Sequence, residues 1–246
     1  PSIWFLLQCG LNVASVNYGG STGFGQRRID ELLGNAGIHD VQDCIRALDQ
    51  LTETNLIRAS DPVVVSGGSH GGFLTAHLSS QFPDRFVAAW LRNPVVNMAS
   101  MLFESDIPDW CLAEAGISGY SDLTPDSLGQ RLYLQSPMAH VQRGVKAATL
   151  IGLGLDDLRV PIAQGRSWFA AIRRWQHASS LVASSAFPET RLLEYAGTGH
   201  AMDAPQASAD FHLQAIMMLQ RALSSKQEGE RERERVRIGS FASIFL

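Results

Sequence analysis

Five short apolar runs recur along the chain, spaced widely enough to hold a helix between them. NVASVN (12–17), PVVVSG (62–67), RFVAAWLR (85–92), ATLIGLG (148–154) and RLLEYA (191–196) are β-branched or apolar and bounded by Gly, Pro or polar residues. Near-continuous runs of this kind suit strands buried on both faces of a parallel sheet. Between the first two, Val41, Cys44, Ile45, Leu48 and Leu51 recur at helical spacing. Gly72-Phe73-Leu74 should lead a second helix that stops near Pro83, and a third should run from Pro161 to about His177, with proline at its favoured first position. A last helix should span roughly Ala207 to Leu223, with Phe211, Ile216, Met217 and Leu219 among its apolar residues. Strands alternating with helices predict an open α/β fold, a mostly parallel, doubly wound sheet with helices on both faces.

Two stretches break this rhythm. Residues 93–140 carry Pro94, Pro108, Pro125 and Pro137 with helical pieces between them, and read as a large insertion over the sheet. Residues 224–246 hold the alternating-charge run EGERERERVRIG (228–239) and end in SFASIFL, which reads as a solvated helix extension or a disordered tail. The expected division is therefore one α/β domain over 1–223 and a charged tail over 224–246.

Composition narrows the function classes. The 246 residues are 45% hydrophobic, enough for a sizeable single core, and the formal charge of −4 gives no reason to expect nucleic acid or an anionic membrane as partner. No apolar stretch reaches the roughly 18 residues of a membrane-spanning helix. The opening IWFLLQCGLNVASV lacks a basic leader and is interrupted by Gln8, Gly10 and Asn12, so it reads as core and not as a signal peptide. Cys9, Cys44 and Cys111 are odd in number and widely spaced, which argues against a disulfide framework and for a reducing compartment. A chain that opens on Pro1 instead of Met reads as a fragment or a processed product.

The chemistry concentrates at VVVSGGSHGGFL (63–74). A strand, a tight turn and a helix around Gly67-Gly68-Ser69-His70-Gly71 fit the G-x-S-x-G nucleophile elbow. Ser69 would sit on a strained turn, its neighbours small so that strand, helix and substrate can approach. The free N–H groups at the helix start would let the His70 backbone N–H face a developing oxyanion. Glycine linkers rarely lie between a β-branched strand and an apolar helix.

An elbow serine needs a base and an acid, in the chain order Ser, acid, His on this fold. Both should come from loops just past later strand ends, where open α/β sheets gather their sites. Of the seven histidines, His200 in RLLEYAGTGHAMD meets that condition, whereas His77 and His212 lie in helical patterns and read as half-buried or surface side chains. In LIGLGLDDLRVP, Asp156 and Asp157 both follow a strand directly. Local chemistry does not separate them, and either could instead cap the helix that starts near Pro161.

With these stretches in hand, the chain resembles the acylaminoacyl-peptidase (acylpeptide hydrolase) branch of the prolyl oligopeptidase family of serine peptidases. The matching segments run in order through about residues 3–222: VNYGGSTGFGQ (16–26), GGSHGGFL (67–74), RNPVVNMASML (92–102), SDIPDWCLAEAG (105–116), DDLRVPIAQG (156–165) and GTGHAMD (197–203). The resemblance implies an α/β-hydrolase fold, a cytoplasmic enzyme and release of an N-acylated amino acid from blocked peptides, with no metal and no cofactor. A carboxylesterase, another oligopeptidase, or an inactive interaction chain are the other readings of the same residues. The family pattern Asp-x-Arg-hydrophobic-Pro falls on Asp157-Leu158-Arg159-Val160-Pro161. It implies Asp157 as the acid and Arg159 as a group that holds a substrate carbonyl, with a surface ion pair as the alternative role for Arg159. Self-association into a homo-oligomer is also implied. Three departures accompany the resemblance. An upstream HGG-type segment with the second oxyanion donor and an N-terminal β-propeller both lie outside this sequence, leaving the sheet N-terminally truncated. Gly19 stands where relatives usually carry Arg, which implies loss of a local ion pair.

Overall fold

Apolar runs with no polar face are stable only in a sheet covered on both sides. The computed structural model, which describes residues 2–117, 124–180, 187–231 and 241–245, builds such a sheet. Six strands, β1 (Leu11–Ser15), β2 (Val63–Gly68), β3 (Ala88–Arg92), β4 (Ala148–Gly154), β5 (Thr190–Tyr195) and β6 (Phe241–Phe245), lie in the order β1-β6-β2-β3-β4-β5. Every pair of neighbours is parallel. The helices are α1 (Ser2–Gln8), α2 (Gln26–Asp30), α3 (His39–Glu53), α4 (His70–Gln81), α5 (Met98–Met101), α6 (Pro108–Glu114), α7 (Pro125–Leu134), α8 (Ile162–Ser180) and α9 (Pro205–Arg231).

Successive strand residues face opposite sides, and the core divides accordingly. Val63, Val65, Ala89, Leu91, Ile151 and Leu153 meet α3, α4 and α8, whose Leu48, Phe73 and Trp168 are buried among them. On the other face Val64, Ala88, Trp90 and Leu150 meet Leu6 of α1 and Phe211, Ala215 and Met218 of α9. This is the expected two-faced α/β architecture. The proline-rich excursion folds as short helices and adds Met98, Met101, Cys111, Leu112 and Leu132 to the α3–α4–α8 side. Pro108 and Pro125 stand at the starts of α6 and α7, where the missing N–H costs nothing.

Three segments differ from their expectation. The opening residues form α1, an amphipathic helix that buries Leu6 and leaves Ile3, Trp4 and Leu7 exposed. In the tail, α9 continues to Arg231 as one of the two expected forms, a helix extension, but residues 241–245 depart from expectation and form a strand between β1 and β2. FASIF is an apolar run of the right length for one, but the charged run before it masks the signal. Residues 232–240, the rest of the charged stretch, lie outside the described residues. His77 is the third: it is fully buried, not half-buried or surface-facing. Its Nε2–H donates to the Gln135 carbonyl at 3.1 Å, and its Nδ1 accepts from Gln81 Nε2 at 2.7 Å.

Both ring nitrogens of His77 are thus satisfied in the neutral form, and a proton has no partner there. Burial pushes this imidazole down from 6.5 to about 3, and the neighbouring His140 adds to the fall. Between those two values the unfolded chain binds a proton that the folded chain does not, so stability declines as pH is lowered through that window. The urea midpoint should therefore fall from pH 6.5 to pH 4 more steeply in the wild type than in His77→Gln. Equal slopes would contradict the assignment.

Candidate active site

The elbow follows from how closely β2, α4 and the end of β3 approach one another. A Cβ at Gly67 would collide with the carbonyl of Gly71, and one at Gly72 would lie 2.8 Å from Cα and Cβ of Pro94. Those two glycines are steric necessities, whereas a Cβ at Gly68 would make ordinary contacts. Between them Ser69 adopts φ 57° and ψ −119°, a conformation that L-residues rarely occupy and that costs on the order of 1–3 kcal/mol. Its N–H donates to the Arg92 carbonyl at 3.0 Å and its carbonyl accepts from Phe73 N–H at 3.0 Å, which lock the turn. The His70 N–H stands at the first position of α4, where helix geometry provides no backbone acceptor.

The other two candidates meet at the ends of β4 and β5. Asp157 is buried, and its two oxygens are divided between distinct tasks. Oδ1 accepts the N–H groups of Arg159 and Val160, both at 2.9 Å, and Oδ2 accepts His200 Nδ1–H at 2.8 Å. The capping role and the histidine-holding role, alternatives at the level of sequence, belong to one carboxylate. Asp156 is exposed and touches the histidine loop through its backbone, its N–H donating to the Thr198 carbonyl at 3.0 Å. The structure thus brings Asp157 and His200 into contact. Among the described residues Ser69 Oγ makes no hydrogen bond, to His200 or elsewhere, and such contacts often tighten only with substrate bound.

Arg159 is solvent-exposed and its Nε and Nη2 reach Asp106 at 2.7 and 3.3 Å. Ser105 Oγ donates to the Arg159 carbonyl at 2.7 Å, so the 105–106 turn and the 157–160 loop are pinned together. Asp43 accepts the Gly19 N–H at 2.9 Å and Arg28 Nη2 at 2.7 Å. Beside Gly19 the structure thus has an ion pair of its own, with Arg28 as cation and Asp43 as acid.

Two features of the site carry no local sequence signal. One is Asp40, fully buried at the start of α3 and 3.1 Å from Nε2 of His70. That bond, with Tyr18 stacked on the imidazole and Trp110 and Phe73 against it, turns the His70 side chain into a fixed wall beside the serine. The other is Asn93, whose side chain bonds Gly154, the last residue of β4 before the Asp157 loop, and the His200 loop. Asp40 stands thirty positions before its partner, and no spacing rule connects them. Among the described residues no group of three or more His, Cys, Asp or Glu is arranged to hold a metal ion, and no helix is long and apolar enough to cross a membrane.

A profile of the Prolyl oligopeptidase family matches residues 2–226. The chain belongs to the prolyl oligopeptidase family. Its relatives include the acylamino-acid-releasing enzyme of Homo sapiens, 39% identical over 221 residues, which cover 89% of this chain and 28% of that protein. Acylamino-acid-releasing enzyme 2 of Oryza sativa subsp. japonica is 48% identical over 174 residues, 69% of this chain and 22% of that one. The chain thus spans under a third of the length of these curated relatives. Among solved structures, the Pyrococcus horikoshii acylaminoacyl peptidase superposes with a TM-score of 0.66 at 18% identity, over 83% of this chain and 30% of that one. A puromycin hydrolase gives 0.69 at 22%, over 85% and 29%. Likeness at this identity speaks for the prolyl oligopeptidase family fold alone. The family match leaves out most of the charged tail but includes every candidate site residue named above.

The Asp40–His70 contact yields a stability test. His70→Ala leaves a buried carboxylate without its side-chain partner, which should cost on the order of 3 kcal/mol in urea unfolding. The double variant Asp40→Ala/His70→Ala should lose clearly less than the two single losses added together. Strict additivity would show that the contact contributes nothing.

Proposed function

We propose that the protein is a serine hydrolase that releases an N-acylated amino acid from the N-terminus of a blocked peptide. The observation that carries this reading is the left-handed Ser69 at the start of α4, followed by the His70 N–H, which has no hydrogen-bond acceptor among the described residues, on the same sheet edge as the His200–Asp157 pair. In this reading Ser69 Oγ attacks the carbonyl carbon, and His200 Nε2 takes its proton. Asp157 holds the Nδ1–H tautomer and stabilises the imidazolium without accepting the proton. The oxyanion receives the His70 N–H. As the tetrahedral species collapses, the C–N bond breaks and His200 returns the proton to the leaving amine. Water, deprotonated by His200, then releases the acyl group and restores Ser69. Nucleophile, base and donor are all supplied by the chain, so the sequence of steps needs neither metal nor cofactor.

Arg159 is proposed to hold a substrate carbonyl. Its Nη1 makes no hydrogen bond among the described residues, while Asp106 fixes the other two nitrogens. The resemblance to acylamino-acid-releasing enzymes over 89% of the chain supports the choice of blocked peptides. It also supports a cytoplasmic setting, with which three free cysteines, two of them buried, agree. Self-association with further copies completes the proposal.

Ser69→Ala should abolish turnover of an acetyl-alanyl amide, and Asp157→Asn should lower kcat by about 10⁴-fold through the wrong imidazole tautomer. Turnover of the acetyl-alanyl amide should exceed that of a short ester and of an unblocked dipeptide amide. Preference for the unblocked amide would overturn the acylaminoacyl reading, and preference for the ester would make the protein a carboxylesterase. Full activity in Ser69→Ala would overturn the mechanism.

A further inference from the structure

The Asp157–His200 contact spans two loops that belong to different strands. The acid loop leaves β4 at Gly154, and the histidine loop leaves β5 at Tyr195. Such loops are the mobile parts of a fold unless something ties them. Backbone bonds from Leu155 N–H to the Tyr195 carbonyl and from Asp156 N–H to the Thr198 carbonyl hold their bases together. Nearer to His200, the tie is made by one side chain. Asn93 Oδ1 accepts Gly154 N–H at 2.9 Å, and Asn93 Nδ2 donates to the His200 carbonyl at 2.9 Å and to the Gly199 carbonyl at 3.3 Å. Apart from the Asp157–His200 pair itself, no other side chain among the described residues hydrogen-bonds both the histidine loop and the end of β4 from which the acid loop departs.

Asn93 is suited to this task in three independent ways. It is buried, so both ends of its amide need partners, and both have them. The position requires an acceptor and an NH donor on one short planar group, which among the side chains only Asn offers, Gln being a methylene longer. Its backbone lies at φ 41°, where Asn is among the few non-glycine residues tolerated, and Pro94 disfavours the helical alternative. The fit is close: a Cβ at Gly154 would collide with the carbonyls of Thr198 and Gly199.

We propose that Asn93 is a positioning residue that sets His200 against Asp157 by cross-linking the two loops through its amide. The inference rests on the acyl-transfer reading of this site for its kinetic consequence, but not for its structural one. Asn93 also follows Arg92, whose carbonyl accepts the Ser69 N–H, and precedes Pro94, against which Gly72 packs. A single tripeptide at the end of β3 therefore bears on the nucleophile turn with its backbone and on the base and acid with a side chain.

Two variants test it in the full chain. Asn93→Gly keeps the left-handed backbone accessible and removes all three side-chain bonds. Asn93→Asp is isosteric, keeps the acceptor for Gly154 N–H, and sets an oxygen against the His200 carbonyl. Three quantities are read on folded protein: the low-field Nδ1–H proton resonance of His200, assigned by its loss in His200→Gln; kcat and KM on an acetyl-alanyl amide; and the rate at which a fluorophosphonate labels Ser69. Urea midpoints report the folded fraction. We expect Asn93→Gly to lose or broaden the resonance and to lower kcat by about 10²-fold, the scale of a small misplacement of reacting groups, with KM changed less than about twofold. Asn93→Asp should lose at least tenfold in kcat. If folded Asn93→Gly keeps the resonance and wild-type kcat, or if its loss tracks the unfolded fraction alone, the proposal is wrong. Should Asn93→Gly fail to fold, Asn93→Asp decides by the same criteria. A wild-type protein that shows the resonance yet neither turns over the amide nor labels would sink the acyl-transfer reading. The resonance in the variants would still decide the role of Asn93.

Discussion

The end of β3 is where several constraints meet, because the Ser69 turn and the loops of Asp157 and His200 converge on one short segment. A parallel sheet delivers all its carboxyl ends to the same edge, which places the elbow, the acid loop and the histidine loop side by side. Proximity of that kind is only approximate. The Arg92 carbonyl takes the Ser69 N–H, and Pro94 presses on Gly72, so the turn has one permitted shape. The strain at Ser69 persists because these contacts over-determine it. Gly67 and Gly72 follow from the same crowding: they mark where backbone meets backbone, not where the chain is loose.

Asp157 shows how little material the site uses. A buried carboxylate is costly unless its lone pairs are filled, and here two backbone N–H groups and one imidazole N–H fill them. The two N–H groups come from the chain just before α8, so the group that orients His200 also shapes the approach to that helix. Removing it would disturb both. The exposed Asp156 next door has no comparable demand on it, which is why neighbouring identical residues have different roles. Local sequence treats them alike because the distinction lies in burial and in a partner forty-three positions away.

The legible parts of the fold were those set by local pattern. All five apolar runs became strands, since near-continuous β-branched sequence has no other good home, and the helices differ from expectation mainly at their ends. The elbow was readable because crowding demands glycine, and His200 because glycine and strand boundaries announce a loop. What stayed hidden depends on distant partners. His77 sits in an ordinary helical pattern, and its burial and neutral form become evident only through Gln81 on the same helix and the Gln135 carbonyl fifty-eight positions away. Asn93 looks like a turn-forming Asn-Pro, and its amide gains meaning only when Gly154 and His200 arrive on either side. The FASIF strand was obscured by the charges beside it.

Gly19 illustrates why a position-by-position comparison misleads about charge. The resemblance implied an arginine there, and in its absence Asp43 is engaged by other groups. The Gly19 backbone N–H and the Arg28 guanidinium share one of its oxygens, and Arg28 also holds Glu31 at 2.6 Å. An arginine at 19 would have to reach a carboxylate that Arg28 already holds, with Arg46 3.8 Å from its other oxygen, and the site would then gather three cations around Asp43 and Glu31. What the fold requires at Asp43 is a nearby cation, not a cation from a given position. The glycine lets the backbone itself become a donor while a side chain nine residues on supplies the charge. Electrostatic demands of this sort are met by geometry after folding, and the sequence records them only as a pair of separated departures, each unremarkable alone.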